Sequence, residues 1–154
     1  METYALRVEP VSRVRARMYD SASPFIRAES ATRALDRLAN REATAADAPM
    51  LAHYLSDPDL AHTVIAAAVD NPARTDVLVS LYRGVSEQSR PAAGAAAATA
   101  LWLSGQQDPA RTILATVPAD GSHADQLARS VRRNIEAGTP VDGRERHIAI
   151  DKYH

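Results

Sequence analysis

A chain of 154 residues is about one domain, long enough to bury close to ~70% of the surface its unfolded form exposes. Its formal net charge is −1, so no global field draws it to nucleic acid or membrane, and any such attraction must come from a local patch. The absence of cysteine removes disulfides, thiol catalysis and Cys-type zinc sites together. Apolar residues make up 45%, but much of that is alanine, and the aromatics stop at Phe25, Trp102 and five tyrosines. The core must therefore be close helix–helix packing over small side chains, and the fold class expected is mainly α.

The N-terminal residues read differently from the rest. Tyr4, Leu6 and Val8 alternate with Ala5, Arg7 and Glu9; beyond Pro10, Val14, Ala16 and Met18 alternate with Arg13, Arg15 and Arg17. This period of two predicts a small β-hairpin or arm over residues 1–22. No hydrophobic core of a signal peptide follows the first charges, which makes the cytoplasm the expected location.

A helical domain over residues 23–139 follows. Ser23-Pro24, Asp57-Pro58, Asn71-Pro72 and Asp108-Pro109 each place a good N-cap before a proline, and proline at the first helical position loses only a donor that has no partner. Thr44 with Asp47 and Ser122 with Asp125 have capping-box spacing, and another helix is expected from near Pro91. About seven helices in antiparallel hairpins result, because the links between them are short. Helical stripes support the starts: Ala31, Ala34, Leu35 and Leu38; Leu60, Val64, Ile65 and Ala68; Val77, Leu78, Leu81, Tyr82 and Val85; Ala124, Leu127, Ala128, Val131 and Ile135. The longest apolar run, Ala92 to Leu103, is interrupted by Gly94 and Thr99 and falls far short of the ~20 residues of a membrane span. The tail, residues 140–154, alternates through Ile148 and Ile150 and is expected either to add a short strand or to stay free.

The words "NPART" and "DPART" recur 37 residues apart, near the ~34-residue period of tetratricopeptide helix pairs. Ala98, Leu101, Gly105, Ala110, Leu114 and Val117 fall where that repeat wants small, large, turn glycine, small, large and small residues. One passable unit points to repeat-like hairpins more than to an array, which usually needs three.

The segments "AAGAAAATALWLSG", "DPARTILATV" and "HADQLARSVRRNIEAGTP" resemble the C-terminal region of an uncharacterised actinobacterial and actinophage family, the domain of unknown function numbered 4192. Upstream, "RAESATRALDRLANREATAADAPMLAHYLSDPDLAHTVIAAAV" is similar in layout to the helices preceding that region, so the likeness covers roughly residues 26–140. Members usually carry a strand-rich N-terminal half, which here is reduced to "METYALRVEPVSRVRARMYD". The resemblance implies a bacterial or phage source and no reaction.

Catalytic chemistry is sparse. Ser122, His123 and Asp125 in "GSHAD" are too close in sequence to form a nucleophile–base–orienter chain, and helix capping explains them better. His53, Asp57, Asp59 and His62 include potential metal ligands, yet the histidines lie nine residues apart across a helix break, not at the three- or four-residue spacing of a helical metal pair. No metalloprotease, nucleophile-elbow, phosphate-loop or dinucleotide motif occurs, and nothing points to a cofactor.

Arginine is the polar chemistry present in quantity. Arg13, Arg15 and Arg17 would line one face of a strand, suited to phosphates or simply to a solvated edge. Arg129, Arg132 and Arg133 form a second cluster that Asp125 and Glu136 are placed to pair with. Arg74 and Arg111 each fall third in a predicted helix, against the macrodipole, which marks them as candidates for reaching an acidic neighbour or partner. Trp102 is a candidate interface anchor, though core packing is the commoner use of such a residue, and one of Leu101, Trp102 and Leu103 must point outward. The expected function is a non-enzymatic protein–protein interaction or adaptor protein. A nucleic-acid accessory protein using Arg13, Arg15 and Arg17 is the second reading, and an enzyme of unrecognised type, which would need a deep polar pocket, the third.

Overall fold

A computed structural model describes residues 6–139. Among them the regular structure is eight helices: α1 (Arg13–Ser21), α2 (Pro24–Ala39), α3 (Asp47–Tyr54), α4 (Pro58–Ala68), α5 (Pro72–Gly84), α6 (Arg90–Leu103), α7 (Gln107–Leu114) and α8 (His123–Glu136). The fold is mainly α, and no described helix is long and apolar enough to cross a membrane.

Capping sets most of the helix starts. The Ser23 hydroxyl accepts from the Ile26 N–H at 3.2 Å, the Asp57 carboxylate from the Asp59 N–H at 3.0 Å and the Asn71 amide oxygen from the Arg74 N–H at 3.2 Å, each with proline in the first helical position. Ser122 caps α8 by accepting from the Asp125 N–H at 3.2 Å. Two starts differ from expectation. α3 begins at Asp47 behind an uncapped Ala46, and only the acidic half of the box forms, the Asp47 carboxylate accepting from the Thr44 N–H at 3.0 Å. α7 begins at Gln107, so Asp108 and Pro109 lie inside its first turn instead of starting it.

The expected N-terminal hairpin is corrected. Residues 13–21 are helical, capped by the Ser12 hydroxyl, which accepts from the Arg15 N–H at 3.2 Å. Arginine, methionine and alanine are strong helix formers, and a short alternation does not override them once a cap is present. Residues 6–8, which would have formed the other strand, instead dock on the end of α5, where the Val8 N–H donates to the Gly84 carbonyl at 3.2 Å. The start of that predicted strand, residues 1–5, and the C-terminal alternation through Ile148 and Ile150 lie outside the described residues.

The stripes read from the sequence are the buried ones: Leu35 and Leu38 of α2, Val64 and Ile65 of α4, Leu78 and Leu81 of α5, Val131 and Ile135 of α8. α2 packs on α3, α4 and α5, while α6 packs on α4, α5, α7 and α8. α6 is therefore surrounded, and every residue from Ala93 to Leu103 is buried. Leu101, Trp102 and Leu103 all point into protein, against the expectation that one would face solvent, because a helix enclosed on all sides has no outward face. The α6–α7 hairpin does carry the repeat-like residues, with Ala98, Ala110 and Leu114 buried and Gly105 in the left-handed region at φ 83°. Yet α6 meets four helices at once, whereas a unit of a linear repeat array meets only its neighbours.

Candidate functional site

The two arginines of the repeated word have different fates. The Arg74 guanidinium donates to the Ala67 carbonyl at 2.8 Å and pairs with the Asp36 carboxylate, tying the first turn of α5 to α4 and α2. The carboxylate offsets the unfavourable dipole, so this arginine is spent inside the fold. Arg111 is exposed and has no side-chain partner among the described residues; with α7 beginning at Gln107 it stands fifth in its helix, so the shared register with Arg74 does not exist. Trp102 is 1% exposed and is a core residue, not a surface anchor. Of the three expected contact residues, only Arg111 is accessible and uncommitted.

Arg13, Arg15 and Arg17 are all exposed, but on a helix. Successive residues turn by roughly 100°, so Arg13 and Arg17 share a side while Arg15 points about 200° away, and the single arginine face expected of a strand is lost. The same rotation interleaves them with Val14 and Met18. Among the described residues the exposed large apolar side chains are Val14 (74%), Met18 (62%), Phe25 (77%) and Ile26 (52%). All four fall on α1 and the first turn of α2, which the two residues Ala22 and Ser23 connect. The arginines lacking both an ion pair and a side-chain hydrogen bond among the described residues are Arg13, Arg15, Arg17 and Arg111, so three of the four stand on α1.

α1 itself has no buried residue, and an aromatic cluster ties its end to α3. The Tyr19 ring lies 6.0 Å from that of His53 and 5.7 Å from that of Tyr54, and the His53 Nε2 is 2.8 Å from the Asp20 carboxylate. Burial pushes the pKa of the Tyr54 hydroxyl above its ordinary value, because desolvation disfavours the phenolate.

A second feature is a cleft of about 910 Å³ between the first turn of α4 and the polar side of α8. Asp59, His123, Ser130, Arg132, Arg133 and Glu136 line it. The ring of His123, one of the lining residues, stands 5.7 Å from that of the buried His62. Arg129 is neutralised by the fully buried Asp125 at 3.0 Å, as spacing suggested. Arg133 departs from the expected pairing with Glu136 and donates to the Ser130 hydroxyl at 3.3 Å, while Arg132 donates to the Leu114 carbonyl at 3.1 Å.

The remaining polar residues flagged in the sequence are used locally. Ser122 and Asp125 organise the start of α8, Asp125 also accepting from the Gly121 N–H at 2.8 Å. Asp57 caps α4 and accepts from Arg27 at 3.3 Å, and His53 faces Asp20. Among the described residues no three potential ligands gather in a metal-binding group. Sequence reasoning missed Phe25 and Ile26, although a signal existed: both lie off the buried stripe of α2, and two large apolar side chains off the stripe must face something else. It also missed the Arg37–Asp47 pair, for which spacing gives no sign.

Comparison of the chain with family models, with curated proteins and with solved structures returned no match.

Proposed function

We propose that the protein is a non-enzymatic interaction module that docks a protein partner on the α1–α2 surface, meeting an apolar patch bordered by carboxylates. The observation that carries this reading is the confinement of the exposed Val14, Met18, Phe25 and Ile26 to one short segment, where Val14 and Met18 are interleaved with Arg13, Arg15 and Arg17. Isolated exposed apolar residues are ordinary; a cluster of them rimmed by charge is the composition of a binding surface. Fully covering one such side chain contributes on the order of 1.5–3 kcal/mol before the costs of association. The uncompensated arginines favour an acidic rim on the partner and orient its approach. Nucleic acid is the weaker occupant because Val14 and Met18 sit among the arginines and would be laid against phosphates. The likeness to an actinobacterial and actinophage family would place the partner in a bacterial host.

A photo-crosslinking residue at Met18 or Phe25, activated in a bacterial host lysate, is expected to give adducts with proteins whose surfaces are acidic. The same adducts should disappear when Arg13, Arg15 and Arg17 are changed to Gln. Adducts no stronger than those from a crosslinker at Arg111, adducts only with a second copy of this chain, or recovery abolished by nuclease would each overturn the reading. Steeply salt-dependent binding of duplex DNA that the triple Gln variant loses would establish the nucleic-acid alternative instead.

A further inference from the structure

We propose that the cleft between α4 and α8 binds a small bipolar ligand, an aminoalkyl phosphate or similar molecule, its oxyanion held by Arg132 and Arg133 and its ammonium by Glu136. This site is separate from the α1–α2 surface and does not rest on the function proposed for it.

Both arginines are held by neutral partners. Arg132 is anchored by the Leu114 carbonyl at 3.1 Å and Arg133 by the Ser130 hydroxyl at 3.3 Å. Both acceptors are neutral, so each guanidinium is oriented without its charge being cancelled. A guanidinium carries five N–H donors in a fixed fork, and each of these has used one on its tether. Arg129 on the same helix shows the contrast: it faces the buried Asp125 at 3.0 Å and brings no net charge to the cleft.

Glu136 supplies the opposite charge on the same helix. It lies three residues after Arg133 and four after Arg132, a spacing that puts side chains about 5–6 Å apart at Cβ and normally allows an ion pair. No such pair forms, and Glu136 is exposed with no partner among the described residues. Two cations and one carboxylate thus share one side of the helix at pairing spacing, and no ion pair joins them. Asp59 adds a further carboxylate across the cleft, so the lining is bipolar and a simple anion would meet repulsion as well as attraction. A ligand that carries both an oxyanion and an ammonium would engage the arginines and the carboxylates together. The volume of about 910 Å³ lies in the range of small-molecule sites, and the Ser130 hydroxyl and His123 ring offer further polar contacts at the wall.

Titration calorimetry with O-phosphoethanolamine, inorganic phosphate and ethanolamine tests the assignment on the full chain. O-phosphoethanolamine is expected to bind saturably and at least about tenfold more tightly than phosphate or ethanolamine alone. Arg132→Gln with Arg133→Gln should abolish binding of both phosphate-bearing probes. Glu136→Gln should reduce O-phosphoethanolamine to the level of phosphate and leave phosphate unweakened. The Arg132→Lys and Arg133→Lys variants keep the charge but lose the fork, and are expected to weaken binding while the circular dichroism of the helices stays unchanged. A Met18→Asp, Phe25→Asp variant should bind O-phosphoethanolamine as the native chain does. No saturable heat from O-phosphoethanolamine at roughly 10 mM, equal affinity for phosphate, or an Arg132/Arg133 double variant that folds and binds unchanged would each overturn the proposal.

Discussion

Asp47 shows what a single side chain decides here. It is buried at the start of α3 and accepts from Arg37 through two bonds, 2.9 and 2.7 Å, as well as from the Thr44 N–H. The Arg37 hydrogen bonds hold its carboxyl below the usual value, outweighing the upward push of burial, with the Thr44 N–H adding to the effect. A carboxyl depressed in the folded state contributes stability that is complete above its unfolded value of about 4 and is lost as pH falls through the lower, folded value. Asp47→Asn is expected to destabilise the protein by roughly 2–3 kcal/mol at neutral pH, a figure kept modest because Arg37 is partly solvated. Urea unfolding at neutral pH and again well below pH 4 checks this: the gap between native and variant should close in acid, and a gap that persists would mean the pair contributes nothing through its charge. The pair was illegible beforehand because Thr44 and Asp47 look like a capping box, whereas Arg37 belongs to another helix. Arg74 teaches the same lesson, since Asp36 lies 38 residues away.

At the scale of elements, prolines and capping side chains placed most helices correctly, because a cap acts within one turn and its signature is local. α1 and the docking of residues 6–8 escaped that reading. Alternation over a few residues fits a helix surface as well as a strand, and nothing in the sequence says that the N-terminal segment will lie on the end of α5. Gly84 makes that docking possible. A Cβ on Gly84 would stand 2.0 Å from the Leu6 carbonyl oxygen and 2.9 Å from its carbon, and both are backbone atoms that cannot swing aside. Gly84→Ala is therefore expected to displace residues 6–8, to lower stability by about 1–3 kcal/mol and to open the stretch before α1 to protease. Limited proteolysis followed by mass mapping decides it; an unchanged cleavage pattern would show that the segment is not held at Gly84.

For the molecule as a whole, α6 is the organising element, since α4, α5, α7 and α8 all pack against it. Its alanines let those helices approach closely, and there is little room to enlarge any of them. Ala97→Leu at a fully buried position is expected to cost about 1–3 kcal/mol by overpacking and to lower Tm by roughly 3–10 °C; a calorimetric scan with Tm unchanged would contradict an α6 enclosed on every side. A mainly α chain, the positions of most helix starts, the buried stripes, and an alanine-rich core with few aromatics were all legible in the order of residues. These follow from propensities, caps and periodicities that operate over one to three turns. Which polar and apolar groups remain available was settled by packing the helices together, in the tertiary fold. It spent Arg74 on Asp36, turned Trp102 inward, left Arg132 and Arg133 on neutral tethers beside the unpaired Glu136, and left Val14, Met18, Phe25 and Ile26 uncovered. Those outcomes depend on distances between residues tens of positions apart, and a local pattern carries no record of them.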